Sequence, residues 1–232
     1  MRAALRYLHT MRSLILCMLL GGCAPFAQPW QVAETAEVLK GGSVRITAGG
    51  GLGLFQDDVR AEDGSRYWGG GVGGRFRIGI GKRQEVGAEA TLLWGHPDTS
   101  PYNFAAKLSY KRALVDGWLA AVAGLGGGGD LKSGYRDGKG GAIGTDVALI
   151  LSHSLFIVEP YLAARVGLFQ PLSGGLPHAG LLLAGGAAFK LLPFLQLFVE
   201  GGIPADFYRE NGDGQHYYGY YGLAALSLRI GL

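Results

Sequence analysis

The feature that most constrains this chain is a period-two alternation, apolar against polar or small, carried in segments of about ten residues from Gly42 onward. Successive side chains of an extended strand point to opposite faces, so such a segment builds a strand with one greasy side and one polar side. Val44, Ile46, Ala48, Leu52 and Leu54 alternate with Arg45, Thr47 and glycines. Trp68, Val72, Phe76, Ile78 and Ile80 share one parity, while Gly69, Gly71, Gly73, Arg75 and Arg77 share the other. The same holds for Val86 to Trp94 around Glu89, for Tyr102 to Tyr110 around Lys107, and for Ile143 to Leu151 around Asp146. It recurs at Leu195 to Val199 around Gln196 and Glu200, and at Leu226 to Leu232 around Arg229. Ten segments are expected as strands: 43–54, 67–80, 84–94, 102–111, 118–126, 142–152, 160–169, 178–190, 194–203 and 217–231. The fifth, seventh and eighth are apolar or small on both faces, which leaves eight as the alternative count.

A sheet of this kind placed in lipid has to close, because an open edge leaves backbone groups unpaired at a cost of several kcal/mol each. The expected fold is therefore all-β: a closed, antiparallel, up-and-down transmembrane β-barrel over residues 42–232. The connections agree. Residues 55–66, 95–101, 126–141, 170–177 and 204–216 are longer and rich in Gly, Asp, Pro and Ser; residues 81–83, 112–117, 153–159 and 191–193 are mostly shorter. Outer-membrane barrels have long outer loops and short periplasmic turns, and an even strand count returns both termini to the periplasm. Aromatic residues fall at segment ends: Phe55, Trp68, Trp94, Tyr102, Tyr217, Tyr218 and Tyr220 toward one rim, Tyr110, Trp118, Phe156 and Phe194 toward the other. Two such girdles are expected where rings meet lipid headgroups. A soluble periplasmic barrel or sandwich is the main rival, since alternation alone does not say which side is wet. A helical membrane protein would have to use Ala179–Val199, which Lys190 and Pro193 interrupt.

The first 22 residues read as a secretory signal, with Arg2, Arg6 and Arg12 ahead of the apolar run Leu14–Leu20. Leu20-Gly21-Gly22-Cys23 follows and resembles the lipobox of bacterial lipoproteins. The resemblance implies cleavage before Cys23 and a covalent lipid on it. Residues 23–41, with Pro25 and Pro29, are expected to tether that lipid to the barrel from the periplasmic side of the outer membrane. Removing the signal also removes three of the 21 basic residues, so the 18 that remain balance the 18 acidic ones. A neutral mature chain gives no argument for nucleic-acid binding, and the expected partners are outer-membrane lipids. Of the two cysteines, Cys17 lies in the signal and Cys23 carries the lipid, which leaves none for a disulfide.

The polar parity places Arg45, Arg75, Arg77, Glu89, Lys107, Asp146, Arg165, Glu200 and Arg229 inside the barrel. The short turn at 81–83 sets Glu89 opposite Arg75 or Arg77. A barrel of eight to ten strands is narrow and usually filled by side chains. The charges are therefore expected to plug the lumen; a narrow, cation-lined pore is the alternative. The expected role is that of a non-enzymatic envelope barrel. Two other classes are weighed: a lipid-modifying enzyme, and an adhesion or assembly partner acting through residues 126–141 and 204–216. For the enzyme, Ser152, His153, Ser154 and Glu159 invite comparison with outer-membrane lipid A deacylases. However, strand neighbours point to opposite faces, so His153 cannot share one with either serine. No cofactor motif is present, and His96, His178 and His216 have no metal-ligand spacing. Asn211-Gly212-Asp213-Gly214 is expected to be a tight turn, and Gly126–Gly129 a flexible exit from the fifth strand.

Overall fold

The computed structural model of the protein describes residues 33–56, 66–94, 103–130, 141–172, 177–210 and 213–231. Cys23, the expected signal, His96, Tyr102 and most of the expected long loops lie outside these residues. Ten strands form: β1 (Val44–Gln56), β2 (Arg66–Gly79), β3 (Gln84–Trp94), β4 (Asn103–Val115) and β5 (Leu119–Asp130), then β6 (Gly141–Ser152), β7 (Val158–Pro171), β8 (His178–Leu192), β9 (Leu195–Glu210) and β10 (Asp213–Ile230). Each pairs antiparallel with its neighbours in sequence, and β1 also pairs with β10, with Val44 opposite Ile230, so the sheet closes into a barrel. No helix among the described residues is long and apolar enough to cross a membrane. The crossing elements are strands.

Closure explains the alternation. The apolar parity faces outward: Leu52, Trp68, Leu108, Val147, Leu162 and Leu168 are exposed, while the polar parity is buried inside. A water-soluble barrel has the opposite arrangement. The exposed rings Trp68 and Tyr220 mark one rim, and Tyr110, Trp118, Phe156 and Phe194 the other. Phe55 departs from the expected girdle. It is only 1% exposed and turns inward, where its ring covers Gly53 and Gly219; a Cβ at either would come within 2.5 Å of it. Glycine on this inner wall makes space for a neighbour's ring. Charge on the outer face should be costly: Leu108→Arg, in the apolar band, is expected to destabilise the barrel by about 2–4 kcal/mol. The check is a lower heat-modification temperature on a gel, with Leu108→Ala as control.

Two connections differ from expectation. Gly126–Gly129 is not an exit but the end of β5, paired with β4 on one side and β6 on the other. A Cβ at Gly126 would lie 2.4 Å from the Ala106 carbonyl oxygen, and one at Gly128 2.5 Å from that of Phe104, so the glycines let the strands approach closely. Residues 204–216 are mostly strand as well, because β9 runs to Glu210 and β10 starts at Asp213. The three segments that are apolar on both faces are strands β5, β7 and β8. Their inward side, with that of β6, β9 and β10, supplies an apolar inner wall containing Val122, Ile150, Leu182, Phe198 and Leu223. The lumen is thus uneven: β5–β10 supply most of its buried apolar side chains, while charged side chains are denser on β1–β4 and continue at Asp146, Glu159, Arg165 and Glu200.

Candidate functional site: the plugged lumen

Ahead of β1, residues 33–39 lie inside the barrel, and Lys40 is exposed at its mouth. They enter from the end that carries the short turns, where Lys40 accepts the Ser43 amide and Gly79 accepts that of Gly42. Ala33, Ala36 and Leu39 are buried, with Ala33 in the apolar cluster of the β5–β10 side. Wall acceptors take the segment's amides. Leu39 N–H donates to Glu85 (3.0 Å), Ala36 N–H to Ser152 Oγ (2.9 Å) and Ala33 N–H to Glu200 (2.6 Å). Glu200 also accepts the hydroxyls of Tyr161 (2.8 Å) and Tyr221 (2.6 Å). The expected tether, 23–41, therefore has its described part docked across the lumen. Three of the amides that the segment carries into the lumen are thus met by wall acceptors, as buried backbone donors require.

The segment's carboxylates meet the charged half of the wall. Glu34 is held by Arg77 (2.8 Å), Lys111 (3.0 Å) and Arg75 (3.3 Å). Glu37 is held by Arg45 (2.7 Å) and Arg229 (2.8 Å), and Lys111 also donates to the carbonyls of Thr35 and Glu37. Burial alone would raise the Glu34 carboxyl, but Arg77, Lys111 and Arg75 outweigh it and hold it well below the usual carboxylate range. Glu37 is lowered too: its burial opposes the shift, and Arg45 and Arg229 prevail.

These directions fix a pH dependence. A carboxylate depressed by docking stabilises the docked state in full above its ordinary value near 4.3, and that contribution disappears as pH falls through the lower, docked value. Docking of residues 33–40 should accordingly be constant from neutrality to about pH 5 and weaken below about pH 4. Hydrogen exchange of those amides, corrected for the intrinsic rate, is the check. Protection that fell on raising the pH from 5 to 8 would have the wrong sign.

Deeper in the lumen lies a second network, formed among wall residues. Arg75 Nε pairs with Glu89 (2.7 Å), Lys107 bridges Glu89 (2.7 Å) and Asp146 (3.0 Å), and Arg165 pairs with Asp146 (2.7 Å). The register sets Glu89 directly opposite Arg75 and, on its other side, Lys107. All nine residues expected in the lumen face it: eight are buried, and Arg229 is half-buried near the rim. Four further charged residues belong to the site. Glu85 and Lys111 share the parity of Glu89 and Lys107, so alternation could have found them. Glu34 and Glu37 precede the barrel and carry no strand signal.

The serine–histidine grouping separates. Ser152 faces inward and donates to Glu159 (2.8 Å), whereas the His153 ring stacks on Trp118 at 3.9 Å. Ser154 Oγ accepts a hydrogen bond from Lys190. Among the described residues no cluster of three potential metal ligands occurs.

A closed antiparallel barrel with an even strand count, apolar outside, girdled by aromatic residues and charged within, is a membrane-spanning barrel of the bacterial outer-membrane class. No family model matches the chain, and no curated protein matches it in sequence. Among solved structures it is similar to the outer membrane protease OmpT from Escherichia coli, at 14% identity and a TM-score of 0.47, over 84% of this chain and all of that one. It is similar too to the translocator domain of the autotransporter NalP from Neisseria meningitidis (12%, TM-score 0.45, 82% of this chain and 90% of that one). A third is OprG from Pseudomonas aeruginosa (9%, TM-score 0.36, 86% and 100%). The class rests on closure of the sheet and on the side to which the apolar residues face.

Proposed function

We propose that this protein is a non-enzymatic, lipid-anchored barrel of the outer membrane whose lumen is closed at rest by its own N-terminal segment. The supporting observation is the docking of residues 33–40, which buries Arg77, Lys111 and Glu85 to within 1% of full burial. With these side chains packed against the segment, solutes have no wide aqueous path at the short-turn end. The role is structural at rest, and a narrow pore is what the same wall would supply if the segment left.

The covalent lipid is assigned to Cys23, on the lipobox resemblance. Nine residues lie between Cys23 and Ala33, which makes ten backbone steps. Fully extended they reach roughly 33–36 Å, enough to bring the lipid back to the periplasmic rim. Purified full-length protein in planar bilayers should give no stepwise conductance, and palmitate label should be lost in Cys23→Ala. Steady conductance by the unaltered protein would remove the closed-barrel reading; label persisting in Cys23→Ala would remove the anchor.

A further inference from the structure

The wall at the short-turn end holds more positive charge than it can neutralise by itself. Deeper in the lumen, Lys107 and Arg165 have wall carboxylates in Glu89 and Asp146, and Arg75 shares Glu89. At the short-turn end the wall offers Glu85, 3.3 Å from Lys111 and 3.8 Å from Arg77, and Glu159, whose partners are Ser152 and Lys190. Among the described residues the ion pairs of Arg45 and Arg229 run to Glu37, and Glu34 supplies the closer partner of Arg77 and Lys111. Both glutamates belong to the docked segment and not to the wall. Buried cations stripped of their counter-ions are expensive, so a vacated site would be filled by whatever small anion reaches it.

We propose that the cluster Arg45, Arg77, Lys111 and Arg229 is a binding site for small polyanions bearing phosphate or carboxylate groups, occupied at rest by Glu34 and Glu37. The proposal rests on the plugged-lumen reading and names the solute class that the site would accept. The charge arrangement specifies the sign. An anion finds three donors converging where the Glu34 carboxylate sits, two of them on β2 (Arg75, Arg77) and one on β4 (Lys111), with a second pair, Arg45 and Arg229, where Glu37 sits. A cation entering the same space would meet Glu85, itself flanked by Lys111 and Arg77. Arginine at four of these five positions suits planar, two-pronged binding of carboxylate or phosphate.

The tethered glutamates compete with any free ligand. A short flexible tether gives its end group an effective concentration of order mM. Free anion should bind the unaltered protein only at millimolar levels, and at least about tenfold more tightly once the glutamates are neutralised.

The test compares the full-length protein with E34Q/E37Q, using inorganic pyrophosphate and citrate as probes and spermidine as the cationic control, all at matched ionic strength. In E34Q/E37Q, pyrophosphate and citrate should each raise the heat-modification temperature, half-maximally at no more than a tenth of the concentration needed to shift the unaltered protein. Adding R77Q and K111Q should abolish the rise. Should E34Q/E37Q fail to assemble, the unaltered protein decides alone: tens of millimolar pyrophosphate should accelerate hydrogen exchange of residues 33–40, and sodium chloride at equal ionic strength should not. No anion effect in either experiment, or an equal effect of spermidine, overturns the site. A preference for one probe assigns the ligand to the phosphate or the carboxylate class. Failure of the closed-barrel reading is seen separately, as conductance by the unaltered protein without any addition.

Discussion

Replacing Glu34 with alanine is expected to weaken docking of residues 33–40 by about 3–5 kcal/mol, the usual cost of removing one partner from a buried ion cluster. Glu34 is 4% exposed and its carboxylate is shared by Arg75, Arg77 and Lys111, so its loss leaves Arg75 to Glu89, and Arg77 and Lys111 to share Glu85. Two responses lower that cost: water enters the lumen, or the segment leaves. Either raises hydrogen exchange of residues 33–40, by up to about 10²- to 4 × 10³-fold for that free-energy change at roughly 1.4 kcal/mol per factor of ten. The closed barrel itself should survive, because its ladders do not involve Glu34. Conductance events in planar bilayers should become frequent in Glu34→Ala while the protein still migrates as a folded, heat-modifiable barrel. Unchanged exchange with unchanged conductance would mean that the carboxylate contributes nothing to closure. Glu34→Gln, which keeps the volume and part of the hydrogen bonding, should lie between the two.

Lys107→Met should have an effect of similar size on the barrel itself. Its ammonium lies between Glu89 and Asp146 at 2.7 and 3.0 Å, and all three side chains are within 6% of full burial. Methionine restores most of the stem volume but leaves two carboxylates with one fewer cation, at a cost of about 3 kcal/mol or more. Arg75 and Arg165 remain as partners, which keeps the effect at the lower end of that range. Removing the opposing charge as well should recover part of the loss, so Lys107→Met combined with Asp146→Asn should be less than additive. Urea unfolding in vesicles is the measurement. A strictly additive pair would show that the two groups are solvated separately, as in a water-filled channel, and would argue against a packed interior.

Much of the architecture was legible because a strand's periodicity is local. Parity alone sorted Leu108 from Lys107 and Val147 from Asp146, and closure followed from the needs of backbone groups in lipid. The short turn at 81–83 was enough to bring Glu89 opposite Arg75. Parity would also have placed Glu85 and Lys111 had it been carried to the strand ends. Phe55 shares the inward parity of Arg45 and Thr47, and only its place at a segment end put it in the expected girdle; its ring fits inside because Gly53 and Gly219, the latter from a strand far away in sequence, leave room for it. Gly126–Gly129 read as an exit because a glycine run is equally suited to a loop and to a tightly approached wall. What fills a lumen is not a local property.

The sequence by itself determined two-faced strands and the parity on which nearly every strand residue lies, while the choice of ten strands over eight, and of an apolar face turned outward, came with the closed sheet. The tertiary structure alone decided what occupies the interior. Glu34 and Glu37 lie outside every strand, and only the folded barrel brings them against Arg45, Arg77, Lys111 and Arg229. The reason is electrostatic: a surplus of buried positive charge on the wall requires a counter-charge. Which segment supplies it depends on where the chain enters the cylinder, something no spacing along the sequence encodes.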